Sequence, residues 1–256
     1  MRKIRKNNSG QVLLLAALAM AFIISSVMVY VYQTSQNIRW EERSSQLNSF
    51  IRNVKSASRN LVIGSLANIS WGGSNETLGS NLQRWESFVE SHYYLGECAF
   101  SFELSEDYPY SSGLRIFWGT NGFGVSSAKV DYSLNLTDEN GETTTRYSVN
   151  VTTHITINAI SQWLWGQHLI NVTIHVFNED SPALCENLTV YYKDKSGNWH
   201  EAGLLDSYVL EDYGNGTYLA RFTVVGPPRV FNREIRVECF DQREIYVKAT
   251  TTCQDA

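Results

Sequence analysis

The chain has 256 residues, 43% of them hydrophobic and 18% charged, with a formal net charge of −5. That length fits one or two domains, and the apolar fraction excludes wholesale disorder and collagen-like composition. Arg2, Lys3, Arg5 and Lys6 place four positive charges ahead of residue 10, so the remainder carries −9, and so acidic a body argues against nucleic acid as a partner.

The first predicted element covers 12–32, 21 residues without a charge, broken only by Ser25 and Ser26. As a helix it spans about 32 Å, enough for a hydrocarbon core of roughly 30 Å. A secretory signal has a shorter apolar core and a small-residue cleavage site after it, and Val-Tyr-Val-Tyr-Gln is no such site. Tyr30 and Tyr32 suit a membrane interface, and the basic residues ahead of the span predict a cytoplasmic N-terminus. The expectation is a single-pass cell-membrane protein: residues 1–10 a basic cytoplasmic leader, 11–33 a transmembrane helix in contact with lipid, and the C-terminal domain extracellular.

The junction Ser9-Gly10-Gln11-Val12, basic residues followed by Gly-Gln and an unbroken apolar stretch, resembles the class III signal of archaeal type IV pilin-like proteins. The resemblance covers the N-terminal segment alone. It implies cleavage after Gly10, leaving Gln11 first, and a retained helix that packs against like subunits in a cell-envelope filament. Ser9 stands where that family usually has a charged residue, and Leu15 where many pilins carry Glu. A minor or accessory subunit is therefore expected rather than a major one. The alternative is an uncleaved signal anchor carrying an adhesin or receptor.

No helix breaker occurs between Gln33 and Gly64, so the helix is predicted to continue over 34–70 as an extracellular stalk. Trp40, Leu47, Val54 and Leu61 recur every seven residues, with Phe50 and Ala57 at the intermediate position, forming a narrow apolar seam. Such a seam packs on the chain's own globular part or on a neighbouring copy. Arg39, Arg43, Arg52, Lys55 and Arg59 outnumber Glu41 and Glu42 along it. These are either ordinary solvated charges or a basic stalk that helps acidic heads stack or rests on anionic lipid.

After Trp71-Gly72-Gly73 an amphipathic helix is predicted over 75–93, with Leu78, Leu82, Trp85 and Val89 on one face, Ser74 or Asn75 as cap and Gly96 as stop. The hydrophobic period then changes from 3.6 to 2. A hairpin joins 129–136 to 146–157 through Asn140-Gly141, and further strands are expected at 169–177, 188–193, 218–225, 234–240 and 245–251. Short strands of this spacing predict a β-sandwich. The run Asp212-Tyr213-Gly214-Asn215-Gly216-Thr217-Tyr218 resembles the turn entering strand E of immunoglobulin-like and filamin-like domains. It implies an immunoglobulin-like antiparallel sandwich over 166–256, following a helix-plus-strands region over 71–165, and it implies no activity. The expected fold class is α+β, mainly β, with a long N-terminal helix.

Cys98, Cys185, Cys239 and Cys253 form no Cys-x-x-Cys, and no histidine lies at zinc-ligand spacing from them, so no metal site is expected. An even count favours disulfides in an oxidising compartment, and four cysteines allow three connectivities. The immunoglobulin-like resemblance implies Cys185–Cys239, leaving Cys98 and Cys253 to each other. Seven Asn-x-Ser/Thr sites occur, at Asn68, Asn75, Asn135, Asn150, Asn171, Asn187 and Asn215. Four fall on the polar phase of strands and the rest at helix ends or turns, as exposed glycan acceptors require; the other reading is that Asn and Thr simply populate exposed β positions.

His92, His154, His168, His175 and His200 belong to no ligand cluster, and there is neither a Gly-x-Ser-x-Gly elbow nor a phosphate loop. No catalytic residue, cofactor or enzymatic activity is predicted. Glu179-Asp180 and Asp138-Glu139 read either as weak calcium ligands or as solvated turns. Trp163-Leu164-Trp165 puts two indoles at i and i+2, either to stack on a surface glycan or protein ligand or to seal the junction between the two regions.

Overall fold

The computed structural model describes residues 9–138, 141–226 and 233–255, with side chains described for 20–34, 44–137, 141–226 and 233–255. Its first element, α1 (Ser9–Ser70), is a helix of 62 residues. Contacts divide the chain into two units, residues 1–55 and 56–256.

In the first unit the described side chains from 20 to 34 are all exposed. The apolar run of the sequence lies within α1 and ends at Tyr32. Beyond Tyr32 the helix is polar and charged. Among the described residues no helix is long and apolar enough to cross a membrane. The expected transmembrane helix over 11–33, and with it the single-pass cell-membrane location and its inside-to-outside orientation, is thereby corrected. The basic leader lies outside the described residues. Gly10 and Gln11 fall in the first turn of α1, with side chains outside those described.

The seam also shifts. Val54 is buried, but Leu47, Phe50, Ala57 and Leu61 are only half-buried, and the Trp40 side chain is outside those described. Within the second unit the buried stripe of α1 is Ser58, Val62, Ser65, Leu66 and Ile69. A strict seven-residue repeat drifts around a 3.6-residue helix, so the stripe follows spacings of three and four instead. Two of its members are serines, buried because they are hydrogen-bonded. Ser58 Oγ accepts from Trp85 Nε1 (2.9 Å) and bonds the Tyr147 hydroxyl (3.0 Å), while Ser65 Oγ accepts from Asn81 Nδ2 (3.0 Å).

The second helix, α2 (Thr77–His92), buries Leu78, Leu82 and Val89, and the Ser74 hydroxyl accepts from the Glu76 amide just ahead of it. The strands follow: β1 (Glu97–Leu104), β2 (Leu114–Trp118), β3 (Phe123–Asp138), β4 (Gly141–Leu164), β5 (Gln167–Asn178), β6 (Ser181–Pro182) and β7 (Cys185–Lys193). After them come β8 (Trp199–Glu201), β9 (Val209–Asp212), β10 (Thr217–Val225), β11 (Glu234–Asp241), β12 (Tyr246–Thr252) and β13 (Gln254–Asp255). One sheet has the order β1-β3-β4-β5-β10-β9, with β2 also on β3, β6 on β5, and β13 parallel to β4; the other has the order β12-β11-β7-β8.

The two sheets make a β-sandwich. Their facing side chains alternate with exposed ones along each strand, as in β5 (Ile170, Val172, Ile174, Val176) and β11 (Ile235, Val237, Cys239), and form one apolar core. The expected split into a region over 71–165 and a separate immunoglobulin-like domain over 166–256 is corrected. β4 is 24 residues long, pairs with β3 from Gly141 to Thr156, and pairs with β5 from Thr153 to Leu164. One sheet therefore serves both regions, and residue 165 is the tip of a hairpin inside it.

The second sheet's β12 edge is covered by the 119–126 segment: Gly122 N donates to Thr250 O, Thr250 N to Gly119 O, and Ser126 Oγ to Tyr246 O. Gly124 is required there, since a Cβ would lie 2.0 Å from the Lys248 carbonyl oxygen. Gly216, in the 212–218 turn, has φ +78°, and a Cβ would come within 2.9 Å of the Val176 and Ala183 backbone.

Cys185 and Cys239 form a disulfide between neighbouring strands of the second sheet, with Cα atoms 6.3 Å apart. The Cys98–Cys253 bond does not exist: both thiols are free. Register explains why. Cys98 aligns with Leu136, which aligns with Thr143 of β4, whereas Gln254 aligns with Ile160 of the same strand. Those points on β4 are roughly 56 Å apart at about 3.3 Å per residue, far beyond the Cα separation a disulfide spans. Burial raises the Cys98 thiol to about 11, with Glu90 adding to it, and raises Cys253 to about 12.

Candidate functional site

One end of the sandwich is organised around Asp241, the last residue of β11, whose side chain is fully buried. Its Oδ1 accepts from the Arg243 amide (2.8 Å) and the Ile245 amide (3.0 Å), which closes the turn into β12. Its Oδ2 accepts from Arg243 Nε (2.9 Å) and from the Thr153 hydroxyl of β4 (2.8 Å). Arg243 then reaches back across the turn, donating through Nη1 to Glu179 Oε1 (2.7 Å) and through Nη2 to the Thr152 carbonyl (3.1 Å) and Thr153 Oγ1 (3.0 Å). Glu179 also accepts from the Thr152 amide, and Arg59 lies 3.7 Å from it. The network stitches the β11–β12 turn of one sheet to β4 and the β5–β6 turn of the other. Its polar atoms are spent on one another, so it braces the site and supplies no free chemistry.

Against this brace lies a groove of about 770 Å³, between the last turns of α1 and the β7 and β11–β12 segments. Register sets its floor: Asn187 is opposite Phe240, and Cys185 opposite Asp241, so the disulfide holds Glu186 and Asn187 beside the turn. Trp71 forms one wall. Its ring centroid is 4.7 Å from Phe240 and 6.2 Å from Tyr246, in tilted and edge-on contacts, yet the residue is 70% exposed, so the indole is held by two rings and otherwise open. The Ser70 hydroxyl accepts from the Tyr246 amide and fixes the chain just before it. Gly64 and Asn68 of α1 open the other side; a Cβ at Gly64 would meet nothing within 4 Å.

The residues singled out from sequence are scattered over the fold. Trp163 and Trp165 lie at the tip of the β4–β5 hairpin, Trp165 is 97% exposed with φ +52°, and they seal no junction. Of the seven sequon asparagines, Asn68, Asn75, Asn150, Asn187 and Asn215 are exposed, whereas Asn135 and Asn171 are half-buried. Only Asn68 and Asn187 come together, in the groove. Glu179 is engaged by arginines, Asp180 lies 4.0 Å from His154, and Glu139 is outside the described residues. Among the described residues no group of three His, Cys, Asp or Glu is placed to hold a metal ion. Sequence reasoning missed Trp71, Arg243 and Asp241, which are distant along the chain. The one local sign was Trp71 directly ahead of Gly72-Gly73 at a helix end.

No family model matches the chain, and no curated protein is similar to it.

Proposed function

We propose that the chain is a structural subunit that assembles with copies of itself through α1, like an accessory subunit of a pilin-like filament. One observation carries this reading: ten apolar residues between 20 and 32, from Met20 and Phe22 to Val31 and Tyr32, are 54–71% exposed on a single helix. They point to every side of the helix, and a helix that is apolar all round is buried in the working state. Within this stretch the Ser26 and Thr34 hydroxyls donate to the carbonyls of Ile23 and Tyr30 and so need no partner outside the helix. Covering the band is worth roughly 10–20 kcal/mol gross, enough to offset an association cost of about 4–15 kcal/mol. The same apolar band on every copy makes a second copy the natural cover. The Gly10-Gln11 junction supports the pilin-like form of the assembly, and the disulfide supports an oxidising compartment.

Sedimentation of the full chain tests this reading. Wild type is expected to sediment as a multiple of the chain mass, and Ile24→Lys with Met28→Lys as a monomer. A monomeric wild type, or a double variant that still assembles, refutes it. A mature N-terminus at Gln11, read by mass spectrometry of the native protein, is expected for the pilin-like form.

A further inference from the structure

We propose that the groove at Trp71 is a saccharide-binding site for neutral sugars. Sugar sites pair an aromatic face, which packs the apolar C–H face of a pyranose, with amides and carboxylates that satisfy its hydroxyls. Both halves are present. Trp71 is 70% exposed yet contacted by the Phe240 and Tyr246 rings, so little ordering remains when a ligand binds. Around it stand Asn68, Asn187, Glu186 and Glu244, whose side chains make no hydrogen bond or ion pair with other described residues. Arg243 closes the end, with its charge paired to Asp241 and Glu179 and four of its five N–H donors engaged by them, the Thr152 carbonyl and the Thr153 hydroxyl. Among the described residues the groove therefore presents amides and carboxylates without an unpaired cationic side chain. That set suits neutral sugars and disfavours uronic or sialic acids.

Gly64 is the telling residue. In a helix interior glycine costs about 1 kcal/mol against alanine. Here neither packing nor a left-handed φ calls for glycine, since the space beside it is open. That open space is the groove. A side chain at position 64 gains helix propensity and fills the site, which makes Gly64→Gln a blocking variant that does not threaten the fold.

The sugar has two sources: a free or partner oligosaccharide, or the chain's own N-linked glycan on Asn68 or Asn187, both in sequons. The test uses the full chain, made without glycosylation under disulfide-forming conditions. It is titrated with mannotriose, chitotriose, maltotriose and trigalacturonate by calorimetry and tryptophan emission. At least one neutral trisaccharide is expected to bind, with an affinity reduced about tenfold or more by Trp71→Ala and by Gly64→Gln, while Trp165→Ala changes nothing. Trigalacturonate is expected to bind more weakly, and Glu186→Gln with Glu244→Gln to narrow that gap. No binding of any neutral sugar up to about 10 mM overturns the proposal, as does binding that Gly64→Gln leaves intact in a normally melting protein. Protein from a glycosylating host separates the sources. Unchanged binding points to an external sugar; binding restored only after enzymatic deglycosylation places the chain's own glycan in the groove.

Discussion

Removing the carboxylate of Asp241 tests whether the braced turn holds the sandwich together. Asp241→Ala deletes the acceptor of four hydrogen bonds of 2.8–3.0 Å, two from backbone amides and two from the Arg243 and Thr153 side chains. Arg243, whose side chain is 17% exposed, then keeps one carboxylate, Glu179 at 2.7 Å. Breaking a buried pair by removing one partner costs about 3–5 kcal/mol, and the surviving Glu179 contact keeps this case near the lower end, about 3–4 kcal/mol. For a unit of this size that lowers Tm by roughly 6–16 °C. Asp241→Asn retains Oδ1 for the two turn amides but puts an NH2 donor where Oδ2 accepts from Arg243 Nε and the Thr153 hydroxyl, so it is expected to cost about as much as Asp241→Ala. The double variant Asp241→Ala with Arg243→Ala is expected to cost less than the two single changes added, because each single change strands the other partner. Urea denaturation of the full chain, followed by near-ultraviolet dichroism, measures all four. An Asp241→Ala cost below about 1 kcal/mol, or additive single effects, refutes the argument.

Leu66 is fully buried on α1 and Leu61 only half-buried, so Leu66→Ala is expected to cost about 2–5 kcal/mol in the same assay and Leu61→Ala less than half of that. Burial lowers the pKa of His154 below its ordinary 6.5; Asp180 opposes the shift and Arg115 adds to it. As pH falls through 6.5 the unfolded chain takes up this proton before the folded one, so stability is lost just below 6.5, and a melting series from neutral to mildly acidic pH should flatten in His154→Gln. Non-reducing peptide mapping of denatured, alkylated protein is expected to show Cys185 joined to Cys239, and Cys98 and Cys253 carrying the alkyl group. On the native protein at neutral pH, both thiols should label slowly, because burial raises their pKa.

Local periodicity carried much of the fold. Leu78, Leu82 and Val89 mark α2 at helical spacing, and the alternation in 146–157, 218–225 and 234–240 fixes inward and outward faces that the structure keeps. The errors arose where distant partners decide. A strand of 24 residues pairs with β3 along one stretch and β5 along another, and nothing local to 146–157 shows that it continues past Ile157 to bind both regions into one sheet. The α1 stripe was misplaced because Ser58 and Ser65 read as polar, although Trp85, Tyr147 and Asn81 satisfy them in the interior. The second disulfide failed for the same reason: an even cysteine count says nothing of position, whereas strand register separates Cys98 from Cys253 along β4.

The groove shows most plainly what a sequence hides. Trp71, Glu186, Asn187 and Glu244 belong to three segments with no shared motif, and they meet because the disulfide and the β7–β11 register bring residue 187 opposite residue 240. Asn68 and Asn187 read as separate sequons on separate elements, yet both face one aromatic wall. Gly64 carries the opposite lesson. From sequence it is the first residue able to end a long helix, but α1 passes through it to Ser70 without a break. A glycine kept inside a continuous helix, at a point where larger side chains fit freely, is explained by what its missing side chain leaves open. The brace at Asp241 then has a purpose beyond stability. By engaging four of the five N–H donors of Arg243 it holds the groove's end wall in place, and among the described residues the polar side chains left without a partner beside Trp71 are two amides and two carboxylates.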